Sequence, residues 1–254
     1  MTNAQDQTRQ WGKVAEAYVH SSFHAAGPDL IRLVAEAGLS GTERVLDLGC
    51  GAGHTSLACA AHAAAVVAVD VTPQMVAAAT ALALNRGVGN VEFRVADVQA
   101  LPFEDQSFDV VTSRVSAHHY ADAPKAVAEA FRVLRPGGRL LVSDSVSPEE
   151  PALDTFLNCV ELLRDSSHVR NYSWSEWQWM LESAGFESDS VELFPVRLDG
   201  DEWVTRSQTA PSKVAILREL FGEANRATRH AFSVSDEPWG YSVPILLMKG
   251  TRRA

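Results

Sequence analysis

The sequence predicts an α/β fold with a doubly wound, mostly parallel sheet of seven strands. First, short apolar runs alternate with amphipathic helical stretches between residues 40 and 146, which is typical of repeated βαβ units. Second, three glycines at alternate positions follow the first apolar run directly. Third, two long stretches, 147–185 and 200–238, lack this rhythm, and we expect them to form helical insertions that cap the sheet.

Residues 11–38 precede the first strand and are predicted to be helical, with a break at Gly27-Pro28. Trp11, Val14 and Tyr18 recur at helical spacing. The segment before the break carries several polar and ring side chains, namely Tyr18, His20, Ser21, Ser22 and His24. Two interpretations stay open here: a solvated N-terminal arm, or a helical lid over a ligand site.

A glycine-rich loop follows the first predicted strand, Val45 to Leu48. Gly49, Gly51 and Gly53 allow the backbone to turn tightly and to approach a ligand closely. The helix predicted after them, residues 55–63, would direct its N-terminal N–H groups towards that ligand. Asp47 lies near the strand's carboxyl end, where open α/β sheets bind ligands.

Carboxylates follow the second and third predicted strands, residues 65–69 and 91–95. Asp70 lies about 20 residues after the glycine loop, where an acidic residue accepts hydrogen bonds from ribose hydroxyls. Helix capping is the structural alternative for Asp70. Asp97 follows the third strand, where it can accept a hydrogen bond from an exocyclic amine such as that of adenine.

The remaining elements complete the sheet and its cap. We predict strands at 107–112 and 139–143, and the last two strands at 191–196 and 241–249, within 186–199 and 240–250. Thr72 and Asp122 are predicted to be helix N-caps, and residues 135–138 are predicted to form a turn. Ser173 to Glu176 are predicted to form a capping box, and the helix that follows is predicted to end at Gly185. Because no linker or repeat divides the chain, we expect one domain over 1–254.

Composition narrows the classes of function. The net charge of −10 argues against a broad nucleic-acid-binding face. No run of about 18 apolar residues predicts a membrane span, and the polar first ten residues lack a signal-peptide core, so we expect a cytoplasmic protein. Cys50, Cys59 and Cys159 form no CxxC pair, so the sequence suggests neither a disulfide framework nor a metal site.

Together these motifs identify a family resemblance over roughly residues 40–146. The motifs are Val45–Gly53, Asp70, Ala96-Asp97 with Leu101-Pro102-Phe103, Ser107–Val111 and Leu134–Gly138, in this order. The chain resembles the class I S-adenosylmethionine-dependent methyltransferases, and within them the ubiquinone/menaquinone-biosynthesis-like subgroup, methyltransferase domain 11. Over nearly its whole length it resembles a branch of uncharacterised bacterial members. The resemblance implies a Rossmann-like fold.

The resemblance also implies a site for S-adenosylmethionine, with S-adenosylhomocysteine as the product. It places Gly49, Cys50, Gly51 and Gly53 beside the methionine part and Asp47 at its ammonium group, directly or through water. It places Asp70 at the ribose, and Val71, Asp97 and Val98 around adenine. For Arg114 it implies either a backbone carbonyl that holds the ammonium or a side chain directed at the substrate. A nicotinamide dinucleotide fits poorly, because the loop is G-x-G-x-G rather than G-x-G-x-x-G.

For the chemistry, we expect O- or C-methylation of a small, partly apolar acceptor, such as a quinone-like ring, a phenol or a natural-product hydroxyl. An O–H or acidic C–H acceptor needs a base, and histidine suits that role near neutral pH. We favour His119 as base or positioning group, with His24 as second candidate. Candidate substrate-binding residues are Tyr18, His118, Arg164, His168 and Arg170.

Structural alternatives accompany these assignments. For each histidine the alternative is a hydrogen-bonded packing role, and for Arg164, His168 and Arg170 it is a solvated, salt-bridged helix end. An arsenite methyltransferase would want a set of cysteines around its site, whereas Cys59 and Cys159 are predicted to lie in helix cores. A protein that binds S-adenosylmethionine or S-adenosylhomocysteine for a pericyclic, decarboxylative or regulatory role is the alternative function. We expect a monomer or a homodimer with a small-molecule acceptor as its partner.

Overall fold

The computed structural model describes residues 3–19 and 22–254, and within these the side chains of 8–14, 18, 19 and 24–254. The strands are β1 (Arg44–Leu48), β2 (Ala65–Asp70), β3 (Val91–Val95), β4 (Phe108–Arg114), β5 (Leu134–Ser145), β6 (Phe186–Asp199), β7 (Ser235–Asp236) and β8 (Trp239–Arg252). The helices are α1 (Asn3–Val19), α2 (Ser22–Ala26), α3 (Pro28–Glu36), α4 (His54–Ala60), α5 (Pro73–Asn85), α6 (Ala123–Val133), α7 (Pro151–Arg164), α8 (Trp174–Ala184), α9 (Gly200–Arg206), α10 (Pro211–Gly222) and α11 (Arg226–Ala231). A 3-10 turn spans Ala117–His119.

The strands form a single mixed sheet in the order β3-β2-β1-β4-β5-β8-β6, with the short β7 paired to β8. Strands β1 to β5 are parallel, whereas β8 runs antiparallel to both β5 and β6. The chain order reverses between β1 and β4. In open α/β sheets, ligands bind in the crevice at the carboxyl ends of the strands at such a reversal.

Helices cover both faces of the sheet because its central strands are apolar on both sides. Val45 of β1 packs in one buried cluster with Leu33 of α3 and Cys59 of α4. The next residue, Leu46, packs in another cluster that includes Trp177 of α8. Successive strand residues point to opposite faces, so a continuous apolar run needs two helical layers. The predicted doubly wound α/β fold is confirmed.

Some element boundaries differ from the sequence prediction. β5 begins at Leu134, so the turn predicted at 135–138 belongs to the strand's start, where the register against β4 shifts. Thr72 precedes α5 but makes no side-chain cap hydrogen bond. The sheet gains an eighth strand, the two-residue β7. The capping box of Ser173 and Glu176 is confirmed, as is the end of α8 at left-handed Gly185.

The carboxyl-terminal helices pack around β8 and form a separate hydrophobic cluster with it. Residues of α7, α9, α10 and β8 share one buried cluster: Leu157, Trp203, Leu217, Phe221 and Tyr241. Helix α8 is different, because Trp177 and Met180 belong to the cluster beneath the sheet with α6. Helices α7 and α9 to α11 therefore cover the β8 side of the sheet.

The first helix lies over the glycine loop. Val14 and Tyr18 form a buried cluster with Ala52 and Met75. The Tyr18 carbonyl accepts a 3.1 Å hydrogen bond from His54 Nε2, which ties α1 to α4. Of the ring-bearing segment singled out in the sequence, His20 and Ser21 lie outside the described residues. No helix in the described part of the chain is long and apolar enough to cross a membrane.

Candidate functional site

A cavity of about 920 Å³, counted with its open mouth, lies at the carboxyl ends of β1, β2 and β4. We call it the glycine-loop cavity. Its walls are loop 49–52, residues 70–72 after β2, residues 96–99 after β3, parts of 114–121 after β4, and the rings of Trp11, Tyr18 and His24. Loops from neighbouring strand ends thus enclose one crevice, which is where ligands bind in open α/β sheets.

The glycine loop adopts a backbone conformation that requires its glycines. Gly49 and Gly51 have φ angles of +62° and +51°. A Cβ atom on Gly49 would lie 2.7 Å from Ser116 Oγ, closer than such contacts allow. The loop therefore passes tightly over the residues that follow β4, and it presents main-chain atoms to the cavity.

Asp70 stands where the sequence predicted it, on the wall of the cavity. Its Oδ2 accepts the Gly51 N–H at 2.9 Å, and its Oδ1 accepts the Thr72 N–H at 2.8 Å. Burial raises the pKa of Asp70, although these two N–H groups oppose the shift. Each carboxylate oxygen has a further lone pair, so the group can also accept hydrogen bonds from a diol.

Asp97 forms part of the same cavity, with apolar neighbours on either side. Its Oδ1 accepts hydrogen bonds from the backbone and side-chain nitrogens of Gln99, at 2.9 and 3.0 Å. Val71 and Val98 line the cavity too. The structure thus brings together four predicted residues from two different strand ends, and the group combines carboxylates with apolar surface.

Asp47 lies beneath the loop and does not line the cavity, which argues against direct contact with an ammonium group, while contact through water stays a prediction. It is 1% exposed. Its Oδ2 accepts the Ser56 hydroxyl at 2.5 Å, and its Oδ1 accepts the Thr112 hydroxyl at 2.8 Å. Burial raises the pKa of Asp47 to about 6, although both hydroxyl bonds lower it. Asp47 therefore ties β1 to α4 and β4 rather than contacting a ligand directly.

Arg114 lines the cavity, but Asp29 of α3 holds its guanidinium. Nε lies 2.6 Å from Asp29 Oδ2 and Nη2 lies 2.9 Å from Oδ1, and the two side chains are 2% and 0% exposed. Nη1 donates to the His24 carbonyl at 2.9 Å. Because a buried bidentate pair fixes the side chain, we expect its guanidinium to stay with Asp29 rather than to turn towards a substrate. The role of its backbone carbonyl stays a prediction.

A second cavity of about 550 Å³ adjoins the first. We call it the cap cavity. Its walls are apolar residues of β6 and β8, residues of α7 and α9, and polar residues near β4 and β5: Val196, Leu198, Val243, Ile245, Glu161, Arg164, Trp203, Arg206, His118 and Ser145. Trp11, Tyr18, His24 and Val115 line both cavities, so ligands in the two would meet there.

His118 lines the cap cavity with a carboxylate behind it. Its Nδ1 donates to Asp144 Oδ1 at 2.6 Å. Asp144 Oδ2 accepts the backbone N–H groups of residues 116–118, at 3.2, 2.6 and 3.3 Å. Burial alone would lower the pKa of His118, but the charge and hydrogen bond of Asp144 raise it. With Nδ1 bonded, Nε2 is the basic nitrogen of this ring.

His119 and His24 have the opposite electrostatic character. Nδ1 of His119 donates to the Ser167 carbonyl at 3.0 Å, and its ring lines the glycine-loop cavity. Burial, then the charge of His118, lower the pKa of His119 to about 4. Burial, then the charge of Arg114, hold the pKa of His24 well below its usual value. Both rings are therefore neutral and weakly basic near pH 7.

The predicted basic cluster is divided by the fold, which corrects another expectation. Arg164 faces the cap cavity and lies 3.2 Å from Glu161. His168 is buried and donates to Asn158 Oδ1 at 3.1 Å, and burial lowers its pKa to about 2. Arg170 lines neither cavity and pairs instead with Asp154 and Glu176. Three residues close in sequence thus have three different environments.

The cysteines are dispersed, and one differs from its prediction. Of the three, only Cys50 lines either of the cavities described here, and burial raises the pKa of its thiol well above the usual value. Cys59 is buried, as predicted, whereas Cys159 is exposed on α7 rather than in a helix core. Among the residues that the structure describes, no group of three or more His, Cys, Asp or Glu is arranged to hold a metal ion.

Sequence reasoning missed several residues of the two cavities. Tyr120 lies in the glycine-loop cavity, and its hydroxyl lies 3.0 Å from the hydroxyls of both Ser113 and Ser116. A signal for it existed, since it follows the paired histidines after β4. Glu161 and Arg206 reach the cap cavity from α7 and α9. No local motif marks them, because long-range packing brings these helices to the sheet.

Comparison with known proteins adds decisive findings. The family model described as "Methyltransferase domain" matches residues 46–142. The "Uncharacterized methyltransferase YcgJ" of Bacillus subtilis is 36% identical over 247 residues, which are 96% of this chain and 98% of the relative. This chain belongs to the methyltransferase family. The crystal structure of YcgJ superimposes on this methyltransferase with a TM-score of 0.86 at 35% identity, covering 89% of this chain and 98% of that one. The "Uncharacterized protein YafE" of Escherichia coli is 34% identical over 81% of this methyltransferase and 99% of its own length.

Proposed function

We propose that this methyltransferase transfers a methyl group from S-adenosylmethionine, bound in the glycine-loop cavity, to a small, partly apolar acceptor in the cap cavity. The junction of the two cavities carries the proposal. Because Trp11, Tyr18, His24 and Val115 line both, the two reactants would be side by side. Much of the rate acceleration in such a transfer comes from holding the two reactants in the reactive orientation, away from water.

The residues of the glycine-loop cavity fit S-adenosylmethionine. The tight backbone of Gly49 to Gly51 offers main-chain atoms to the methionine part. Asp70 has free lone pairs for the ribose hydroxyls, and Asp97 is exposed on the same wall between apolar residues for adenine. When bound, S-adenosylmethionine supplies a methyl group on a positively charged sulfur, and the product S-adenosylhomocysteine is a neutral thioether.

The cap cavity favours an acceptor with an apolar body. Val196, Leu198, Val243 and Ile245 form one wall, and Trp203 adds an aromatic ring. Most of a ligand's surface in such sites meets hydrophobic and aromatic side chains, while a few polar groups orient it. A quinone-like ring, a phenol or a natural-product hydroxyl would suit this wall.

For an acceptor hydroxyl, we assign the role of general base to His118 rather than to His119 or His24. His118 lines the cap cavity, and Asp144 raises its pKa. Nε2 of His118 would accept the hydroxyl proton when the methyl group leaves the sulfur for the acceptor oxygen, and Asp144 would balance the charge of the resulting imidazolium. A base whose pKa lies near the working pH is the most effective.

The test uses S-adenosylmethionine with a panel of phenols, quinols and hydroxylated natural products, and measures S-adenosylhomocysteine by mass spectrometry. We expect product with at least one acceptor. His118→Gln should lower turnover about 10²–10⁴-fold and leave S-adenosylhomocysteine affinity unchanged. His119→Gln, its neighbour, is the matched control and should lower turnover less.

Two results would count against this account. Equal turnover of His118→Gln and the native protein would remove His118 from the mechanism. Tight binding of S-adenosylmethionine with no transfer to any acceptor would favour a non-methylating role.

A further inference from the structure

The charged side chains that line the cap cavity differ in how many hydrogen-bond partners the protein gives them. Glu161 is fully engaged within the protein, because its Oε1 accepts the Tyr241 hydroxyl at 2.6 Å and its Oε2 accepts from Arg164 at 3.2 Å. Both carboxylate oxygens thus already have donors. Among the described residues that line this cavity, Glu161 is the one carboxylate, and Arg164 offsets its charge, so it is poorly placed to attract a cationic ligand.

Arg164 is also held in place by the protein. Its Nε donates to the Trp203 carbonyl at 3.2 Å, and its guanidinium lies over the Trp203 ring, 5.3 Å from the ring centre. Its side chain is 9% exposed. Arg164 and Glu161 therefore form a buried pair whose charges offset each other.

Arg206 adds a second guanidinium without such compensation. It ends α9 and lines the cap cavity. Its Nε is buried, and it has no hydrogen-bond partner among the residues that the structure describes. A buried charged donor without an acceptor is unfavourable, so the described protein groups leave this guanidinium incompletely satisfied.

The field of Arg206 extends to the junction of the two cavities. After burial and Arg114, Arg206 is the next contribution that lowers the pKa of His24, and Arg164 acts in the same direction. Among its described residues, the cap cavity has two guanidinium groups and one carboxylate, an excess of positive charge in a protein whose net charge is −10. A positive, partly apolar cavity selects anionic ligands with an apolar body.

We propose that the acceptor carries an anionic group, a carboxylate or a phosphate, which Arg206 binds in the cap cavity. The inference rests on the proposed function, because it takes the cap cavity as the acceptor site. Guanidinium pairs with carboxylates and phosphates through charge-assisted hydrogen bonds, which are stronger than those to neutral oxygens. Arg206 would hold the anionic group of the acceptor, and the apolar body of the acceptor would lie against Val243 and Ile245.

The experiment titrates the protein calorimetrically with octanoate, octyl phosphate and the neutral octanol, with and without saturating S-adenosylhomocysteine. We expect at least one anion to bind about tenfold or more tightly than octanol. Arg206→Gln should abolish that preference, and Arg206→Lys, which retains the charge, should keep part of it. Arg226→Gln, which removes an exposed arginine of α11 outside the cavity, is the matched control and should change nothing. The two anions distinguish a carboxylate site from a phosphate site.

Equal affinities for octanol and both anions would overturn the inference. So would failure of both anions to bind, or an unchanged anion preference in Arg206→Gln. A separate titration with S-adenosylhomocysteine alone tests the proposed function. If that nucleoside binds normally while the anion preference is absent, only the inference about Arg206 is wrong.

Discussion

The two cavities that meet at Tyr18 and His24 are built in different ways. The glycine-loop cavity consists mainly of segments that directly follow parallel strands: 49–52 after β1, 70–72 after β2 and 96–99 after β3. The cap cavity consists of side chains from the face of an antiparallel strand pair and from helices α7 and α9. A loop that leaves a strand end is visible as a local motif, whereas a wall assembled from distant elements is not.

The glycine-loop cavity is thus a product of the parallel sheet itself, whereas the cap cavity depends on side chains particular to this protein. The strand-end loops offer main-chain atoms and two carboxylates for a cofactor, and their form follows from the parallel sheet. The cap cavity combines Arg206 and Trp203 of α9 with apolar residues of β6 and β8, a side-chain pattern that the parallel strands do not dictate. We therefore expect acceptor selectivity to depend on the residues of the cap cavity.

The largest expected effect concerns the buried pair that supports both cavities. Arg114→Gln leaves Asp29 buried without its cation, and we expect the free energy of unfolding to fall by about 3–5 kcal/mol. Arg170→Gln is the matched control, since its partly exposed pairs contribute roughly 0.2–1 kcal/mol. Urea denaturation measures both variants. Equal losses would show that the Arg114 pair does not brace the site.

An intermediate effect separates the two cavities. Asp70→Ala removes a charged acceptor from the glycine-loop cavity, and we expect S-adenosylhomocysteine to bind roughly ten- to a hundredfold more weakly, from the loss of about 1.5–3 kcal/mol. Calorimetry measures this, and octanoate binding in the cap cavity serves as the internal control. If both ligands weakened alike, the cavities would not be independent sites.

The smallest effect is a shift in titration. In the native protein, Asp144 holds the pKa of His118 above its usual value. In Asp144→Asn the effect of burial is no longer opposed by this charge, so the pKa of His118 should fall below its usual value. The stability that native His118 contributes is present at low pH and is lost as pH rises through its folded-state pKa. Histidine NMR titration reports the shift, with His119, whose pKa is about 4, as reference. An unchanged His118 titration would contradict the pairing.

Local patterns gave the predictions that the structure confirms. The capping box at Ser173 depends on residues within one turn, and Asp70 depends on a strand followed by a loop. The capping box is therefore contained in the local sequence. For Asp70 the local sequence contains its place at the end of β2, whereas its hydrogen bond to Gly51 joins residues 19 positions apart and its ligand role stays a prediction. The apolar runs of β1 and β2 likewise specify a sheet buried on both faces.

The expectations that the structure revises involve partners from distant elements. Asp47 is held beneath the loop because the hydroxyls of Ser56 and Thr112 donate to its two oxygens. Arg114 is immobilised by Asp29, 85 positions away in sequence. His118 and His119 are adjacent, yet only His118 meets Asp144, 26 residues further on, so the sequence could not separate their roles.

The central claim is that the glycine-loop cavity holds the methyl donor. The most direct measurement is a calorimetric titration of the purified protein with S-adenosylhomocysteine, repeated with Asp70→Ala. We predict one equivalent bound by the native protein and markedly weaker binding by the variant. No binding to the native protein, together with no S-adenosylmethionine or S-adenosylhomocysteine in mass spectra of the purified protein, would contradict the claim.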